Sequence, residues 1–172
     1  MESKAKLFGH PIHPVLIVLP LGLLSAAVVF DIVYLITGDD AFSTVAFWNI
    51  AAGVVGGLLA AVFGAWDWLH IPRGTRAKRI GLWHGGGNVV VVSLFAVSWL
   101  LRLEAAGYEP SPLAYALSFA AVALAVVTGW LGGELVDRLG VGVDPGANLN
   151  APNSLSGQPA DSRSPPAPAS AR

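Results

Sequence analysis

Four long apolar stretches, separated by short polar segments, dominate the chain. Each is about 20 residues or slightly longer, the length that an α-helix needs to cross about 30 Å of hydrocarbon. The pattern therefore predicts an all-α protein in which four membrane-spanning helices form a bundle within residues 1–143. The stretches cover residues 15–37, 43–66, 82–101 and 113–133.

The composition supports a polytopic membrane protein. Of the 172 residues, 54% are hydrophobic and only 12% are charged, whereas a soluble domain carries about 25% charged residues. The first apolar stretch is long enough to span, so we interpret it as a retained helix rather than a cleaved signal peptide. Residues 144–172 are rich in Pro, Ala, Ser, Asn and Gly, which predicts a disordered tail.

Lysine and arginine residues are concentrated on one side of the four predicted spans. Because cytoplasmic loops of membrane proteins are enriched in these residues, both termini and the loop 67–81 are expected in the cytoplasm. We therefore expect a multi-pass protein of the bacterial inner membrane, with the lipid bilayer as its first partner. The basic residues are Lys4, Lys6, Arg73, Arg76, Lys78, Arg79 and Arg138.

Several classes of function are excluded or disfavoured. The net charge is −1 and there is no basic stripe, which argues against nucleic acid as a partner. The chain has no cysteine, and its single methionine is Met1, so sulfur ligands are not available within the bundle. No Gly-x-Ser-x-Gly motif is present, so the sequence does not indicate a hydrolase.

All four histidines are predicted at the same membrane face, next to carboxylates. Imidazole nitrogen is the commonest protein ligand of zinc, copper and haem iron, and carboxylates act as additional ligands or orient the imidazole. One hypothesis is therefore a Zn²⁺ or Fe²⁺ site. Its candidate ligands are His10, His13, His84, Glu134 and Asp67.

A second hypothesis is a b-type haem that serves electron transfer. Without cysteine or methionine ligands, its axial ligands would be His84 together with His13 or His10. Gly85 and Gly86 would form a smooth wall beside the macrocycle, and Arg73 would pair with a haem propionate. A redox protein would then be a partner, and a homo-oligomer is compatible with this hypothesis.

A third hypothesis needs no cofactor. In it the polar groups form a hydrogen-bonded belt that holds the helix ends together, and the protein is a structural or assembly subunit. On the opposite side of the membrane, Asp31 is expected to pair with Asn49 or Arg102 as a structural contact, since charged groups within spans are costly unless they are paired.

Several motifs together resemble the bacterial domain-of-unknown-function family 2231, over the range from about Phe8 to Val143. The resemblance implies the four-helix topology but no established reaction. It also implies a redox setting, since some members are joined to Rieske-type or cytochrome c domains, and His70 is not part of the family pattern. The motifs are Gly9-His10-Pro11-Ile12-His13-Pro14, Gly64-x-x-Asp67, Arg73-Gly74-Thr75, His84 with Asn88, and Trp130-Leu131-Gly132-Gly133-Glu134-Leu135-Val136.

Overall fold

The computed structural model describes residues 1–162, which form a mostly helical bundle. Four helical segments are long and apolar enough to cross a membrane, which confirms the predicted fold class. The first consists of two pieces, and the last continues into a short π-helical turn. The helices are α1 (Ile12–Leu16), α2 (Val18–Thr37), α3 (Asp40–His70), α4 (Arg76–Leu100) and α5 (Pro112–Gly133), and the π-helical turn covers Glu134–Arg138.

The first span is divided after Leu16, where α1 gives way to α2. Pro20 has no backbone N–H, so it cannot donate the usual hydrogen bond to the carbonyl of Leu16 four residues earlier. Ile17 nevertheless keeps a helical conformation, and the two pieces together form one span, Ile12–Thr37.

Side-chain caps start the helices before the apolar stretches begin. The Asp39 side chain accepts a hydrogen bond of 2.9 Å from the N–H of Ala41, so α3 begins ahead of residue 43. The hydroxyl of Thr75 accepts one of 3.1 Å from the N–H of Lys78, so α4 begins at Arg76 rather than 82. Polar residues that favour a helix thus extend both helices beyond their apolar parts.

The helices pair as two hairpins. In the first hairpin α2 packs along α3, and in the second α4 packs along α5, while α3 and α4 hold the hairpins together. Many large apolar side chains on the outer surface are exposed, as expected of helices that face lipid. The buried core is formed by Leu24, Ala27, Val28, Ala46, Ile50, Val91, Phe95 and Ala121.

The segments before and after the bundle lie against each other. Strand β1 (Lys6–Leu7) pairs antiparallel with β2 (His10–Pro11), just before α1. Residues 144–162 contain a single 3₁₀ turn, Ser154–Ser156, and the Asp144 carboxylate forms an ion pair with Lys6. Residues 163–172 of the predicted disordered tail lie outside the described residues.

Candidate functional site

One end of the bundle carries all four histidines together with the N-terminal segment and the loop between α3 and α4. We call it the histidine end, and it comprises residues 1–13, 60–84 and 125–144. The opposite end, which comprises residues 31–47 and 95–118, is called the ion-pair end. The two ends are built differently: of the residues that the structure describes, the histidines all lie at the histidine end.

His13, in α1, contacts the facing helix of its own hairpin. Its Nδ1 lies 2.8 Å from the carbonyl oxygen of Ala60 in α3. The ring packs directly on Gly64, where an added Cβ would lie 2.8 Å from the imidazole Cε1. Only glycine therefore leaves room for the imidazole at this distance from the α3 backbone.

His84, in α4, makes the same contact within the second hairpin. Its Nδ1 lies 2.8 Å from the carbonyl oxygen of Thr128 in α5. An added Cβ on Gly132 would lie 3.0 Å from the imidazole Cε1. In both hairpins, then, a histidine binds one carbonyl of the facing helix and covers the glycine four residues farther along.

These contacts assign the proton of each neutral ring. A carbonyl oxygen only accepts, so Nδ1 must donate in both His13 and His84, and Nε2 is left without a proton. A metal-ligating histidine almost always donates its other ring N–H to a carbonyl or carboxylate in this way. In each neutral ring, Nε2 is therefore the nitrogen that carries the free lone pair.

Asn88 distinguishes the two histidines. Its Oδ1 accepts a hydrogen bond of 2.9 Å from the hydroxyl of Thr128, and its Nδ2 donates one of 3.0 Å to the carbonyl oxygen of His84. The same Nδ2 lies 3.3 Å from His84 Nε2. The Nε2 of His13 has no hydrogen-bond partner within residues 1–162. Among the described residues, the Nε2 of His13 is thus without a hydrogen bond, whereas that of His84 lies beside Asn88.

The other proposed metal ligands bind elsewhere. Nε2 of His10 lies 3.2 Å from the hydroxyl of Ser154. Asp67 accepts hydrogen bonds from the Ser3 hydroxyl and the Lys4 N–H, at 2.6 and 2.7 Å. In the described part of the chain, no three His, Cys, Asp or Glu side chains converge as a group that could hold a metal ion.

Glu134 and Arg73 also take separate positions. Glu134 forms a 2.6 Å ion pair with Arg76, which joins the end of α5 to the start of α4. Arg73 is exposed in the loop 71–75 and has no ion-pair partner within residues 1–162. Gly85 and Gly86 are exposed, and a Cβ on either would meet nothing within 4 Å.

His70 makes only a local contact. Its Nδ1 lies 2.8 Å from the carbonyl oxygen of Trp66 on the preceding turn of α3, and the side chain is exposed. A substitution of His70 can therefore serve as the control for substitutions of His13 and His84, the two histidines that contact a facing helix.

At the ion-pair end, Asp31 and Arg102 are completely buried and form two parallel hydrogen bonds of 2.6 and 2.8 Å. The expected partner of Asp31 is thus Arg102, and Asn49 instead donates to the carbonyl oxygen of Val45. Nη2 of Arg102 also contacts the hydroxyls of Ser98 and Ser118, both at 3.2 Å.

The roles of Ser118 and of the Thr128–Gly132 pair were not predicted, because they depend on which helix faces which.

Comparison with known families supports the membrane assignment. A family model described as "Predicted membrane protein (DUF2231)" matches residues 9–145. The chain belongs to this family. Its exposed apolar side chains accordingly contact lipid. No curated protein and no solved structure is significantly similar to this family member.

Proposed function

We propose that this family member binds a b-type haem between His13 and His84 and serves electron transfer at the histidine end. The observation that carries the proposal is the repeated contact of Nδ1 with a carbonyl oxygen, at 2.8 Å in both hairpins. It holds both rings in the tautomer that offers Nε2 to a metal. Because the two rings belong to different hairpins, a shared ligand would also join the hairpins.

The number of protein ligands favours haem over an isolated metal ion. A zinc site in a protein takes three or four protein ligands, whereas the described residues contain no group of three or more His, Cys, Asp or Glu side chains that could hold a metal ion. A porphyrin supplies four nitrogen ligands of its own, so two axial imidazoles complete the coordination of its iron. Two histidines are therefore sufficient for haem and insufficient for a zinc site.

Each part of the histidine end has a specific role in this proposal. Ala60 and Thr128 orient the imidazoles through their carbonyl oxygens, and Gly64 and Gly132 give the rings room. Arg73 is free to pair with a propionate. The haem would supply the one-electron chemistry, and a redox protein would exchange electrons with it at this end.

Titration of the purified protein with haemin tests the proposal. We expect binding of one haemin per chain with a shift of the Soret band, and loss of that shift in both His13→Ala and His84→Ala. His10→Ala and His70→Ala are matched controls that should bind as the wild type does, because neither ring contacts a facing helix. Unchanged haemin binding in a His13→Ala/His84→Ala double variant would contradict the proposal.

A cofactor-free structural role is the second candidate, and an ion pair and two hydrogen bonds at the histidine end favour it. Arg76 joins Glu134 at 2.6 Å, and Asp67 holds the N-terminal segment through Ser3 and Lys4. In this case, loss of His84 would lower thermal stability without altering any absorption spectrum. The haemin titration therefore separates the two candidates.

We further propose an inner-membrane topology in which the histidine end faces the cytoplasm. It is supported by the basic residues near this end, which the positive-inside rule places in the cytoplasm. Since the chain has no cysteine, single cysteines can be introduced at exposed positions on each side. Glu104→Cys should react with an impermeant maleimide in intact cells, and Ser156→Cys only after lysis. The reverse pattern would contradict this topology.

A further inference from the structure

Within each pair of corresponding helices, the residues of the two hairpins differ by a constant number of sequence positions, and this holds along the whole length of the helices. The carbonyl contacts pair Ala60 with Thr128, and the covered glycines pair Gly64 with Gly132. In both pairs the second residue lies 68 positions after the first. The histidine contacts thus establish how α3 should be compared with α5.

The buried residues of these two helices follow the same relation. α5 buries four residues, and each has a buried counterpart 68 positions earlier in α3. A buried face recurs every three or four residues in any helix, so the spacing alone would prove little. Here the histidine contacts determine the offset independently. The pairs are Ala46 with Ala114, Ile50 with Ser118, Gly53 with Ala121 and Ala60 with Thr128.

The first helices of the hairpins are related by 71 positions. His84 follows His13 at this distance, and Arg102 follows Asp31 at the same distance. The buried Leu24 and Ala27 of α2 correspond in this way to the buried Phe95 and Ser98 of α4. The relation therefore holds from the histidine end to the ion-pair end.

Corresponding residues also meet each other. Asp31 binds Arg102, its own counterpart in the other hairpin. Contact between counterparts is the mark of a twofold axis, since only residues close to the axis can touch their symmetry mates. His13 and His84 are also counterparts by position, at the opposite end of the bundle.

We propose that the bundle consists of two equivalent hairpins related by a pseudo-twofold axis, and that His13 and His84 are equivalent ligands of one centre on that axis. The nature of this centre rests on the proposed function, whereas the symmetry rests on the contacts above. In that case His13 and His84, one from each hairpin, would hold this metal centre. The two halves of the site differ at Asn88 and Thr128, whose counterparts are Ile17 and Ala60.

Exchanging the polar cluster between the hairpins tests the symmetry. Arg102 contacts Ser98 and Ser118, whose counterparts are Ala27 and Ile50. In the full exchange the ion pair and these neighbours all change places. The six substitutions are Asp31→Arg, Ala27→Ser, Ile50→Ser, Arg102→Asp, Ser98→Ala and Ser118→Ile.

If the hairpins are equivalent, the full exchange rebuilds the same cluster at the counterpart positions. The Tm of this variant should then stay within about 5 °C of the wild-type Tm. The first three substitutions alone place two arginines together without a carboxylate. This half exchange should lower Tm by about 10 °C or more. A full exchange that is no more stable than the half exchange would overturn the proposal.

An uncharged exchange gives a second test in case the charged variants do not fold. Leu24 and Phe95 are buried counterparts in the same core cluster. Leu24→Phe and Phe95→Leu should each lower Tm, and the double variant should recover most of the loss, because the core volume is conserved. Losses that simply add in the double variant would overturn the symmetry. Haemin binding by the same variants reports on the proposed function separately.

Discussion

Both ends of the bundle carry polar side chains from the two hairpins, but they satisfy these groups in different ways. At the ion-pair end, Asp31 and Arg102 are fully buried and neutralise each other. At the histidine end, His13 and His84 each use one ring nitrogen to bind a backbone carbonyl. The ion pair uses its charged groups on each other, whereas each histidine keeps a second ring nitrogen that is able to bind a ligand.

The comparison shows why burial of a charged or polar group is not by itself a sign of function. A buried ion pair whose members bind each other has little capacity left for a ligand, although Nε of Arg102 has no partner within residues 1–162. A histidine held by Nδ1 keeps its second nitrogen available. We therefore expect a structural role for the ion-pair end, whereas the proposed function concerns the histidine end.

The largest expected effect is at the ion-pair end. Asp31→Asn leaves Arg102 charged and unpaired in the core, which should lower the free energy of unfolding by about 3–5 kcal/mol. Thermal unfolding in mild detergent would measure the change. The exposed Glu104→Gln is the matched control and should have little effect.

Replacing both partners sharpens this assignment. An Asp31→Leu/Arg102→Met variant removes both charges, so it should recover much of the stability lost in Asp31→Asn. It should also bind haemin as the wild type does, because the histidine end is unchanged. Loss of haemin binding in a stable double variant would show that the two ends are not functionally separate.

A smaller effect is expected from the glycines beneath the imidazoles. Gly64→Ala and Gly132→Ala would each place a Cβ within 3.0 Å of a histidine ring, and such crowding should cost about 1–3 kcal/mol of stability. Haemin binding should weaken in parallel.

Gly86→Ala is the control variant. Its added Cβ meets nothing within 4 Å, and alanine stabilises a helix by about 1 kcal/mol relative to glycine. Equal behaviour of all three variants would contradict the proposed ring positions.

The smallest effect concerns the contact between the N-terminal segment and the tail. The hydrogen bond to Asp144 raises the pKa of Lys6 above its usual value of 10.5. A raised pKa in the folded state means that the contact stabilises below pH 10.5 and is lost as pH rises through the folded-state pKa. The contribution should be at most about 1 kcal/mol, because both side chains are partly exposed.

A fluorophore attached at Ser156→Cys would report this contact through its anisotropy. The anisotropy should fall as the pH passes above 10.5, and a Lys6→Met variant should show a low value that changes little over the same range. The same pH dependence in wild type and Lys6→Met would show that Lys6 is not responsible.

The sequence predicts the fold class well because four apolar stretches of sufficient length leave few alternatives. The sequence does not decide whether Asn49 or Arg102 pairs with Asp31, because both lie at about the same predicted depth in the membrane as Asp31. The pairing was decided by helix rotation, which a single sequence does not specify. Polar caps such as Asp39 and Thr75 explain why two helices begin earlier than their apolar stretches.

The candidate site was harder to predict. All four histidines and two carboxylates occur at one predicted membrane face, yet only His13 and His84 bind the facing helices. The signal that distinguishes them is the matching position of Gly64 and Gly132, which becomes readable only when the two hairpins are aligned. His10 and Asp67 instead hold the N-terminal segment and the tail.

The most direct test of the haem site is the visible spectrum of the protein purified in mild detergent from haem-supplemented cells, recorded oxidised and dithionite-reduced. We expect a Soret band and a reduced α-band that both disappear in His13→Ala and in His84→Ala but persist in His70→Ala. A stable, colourless wild-type protein, or bands that survive in the His13→Ala/His84→Ala double variant, would contradict this expectation.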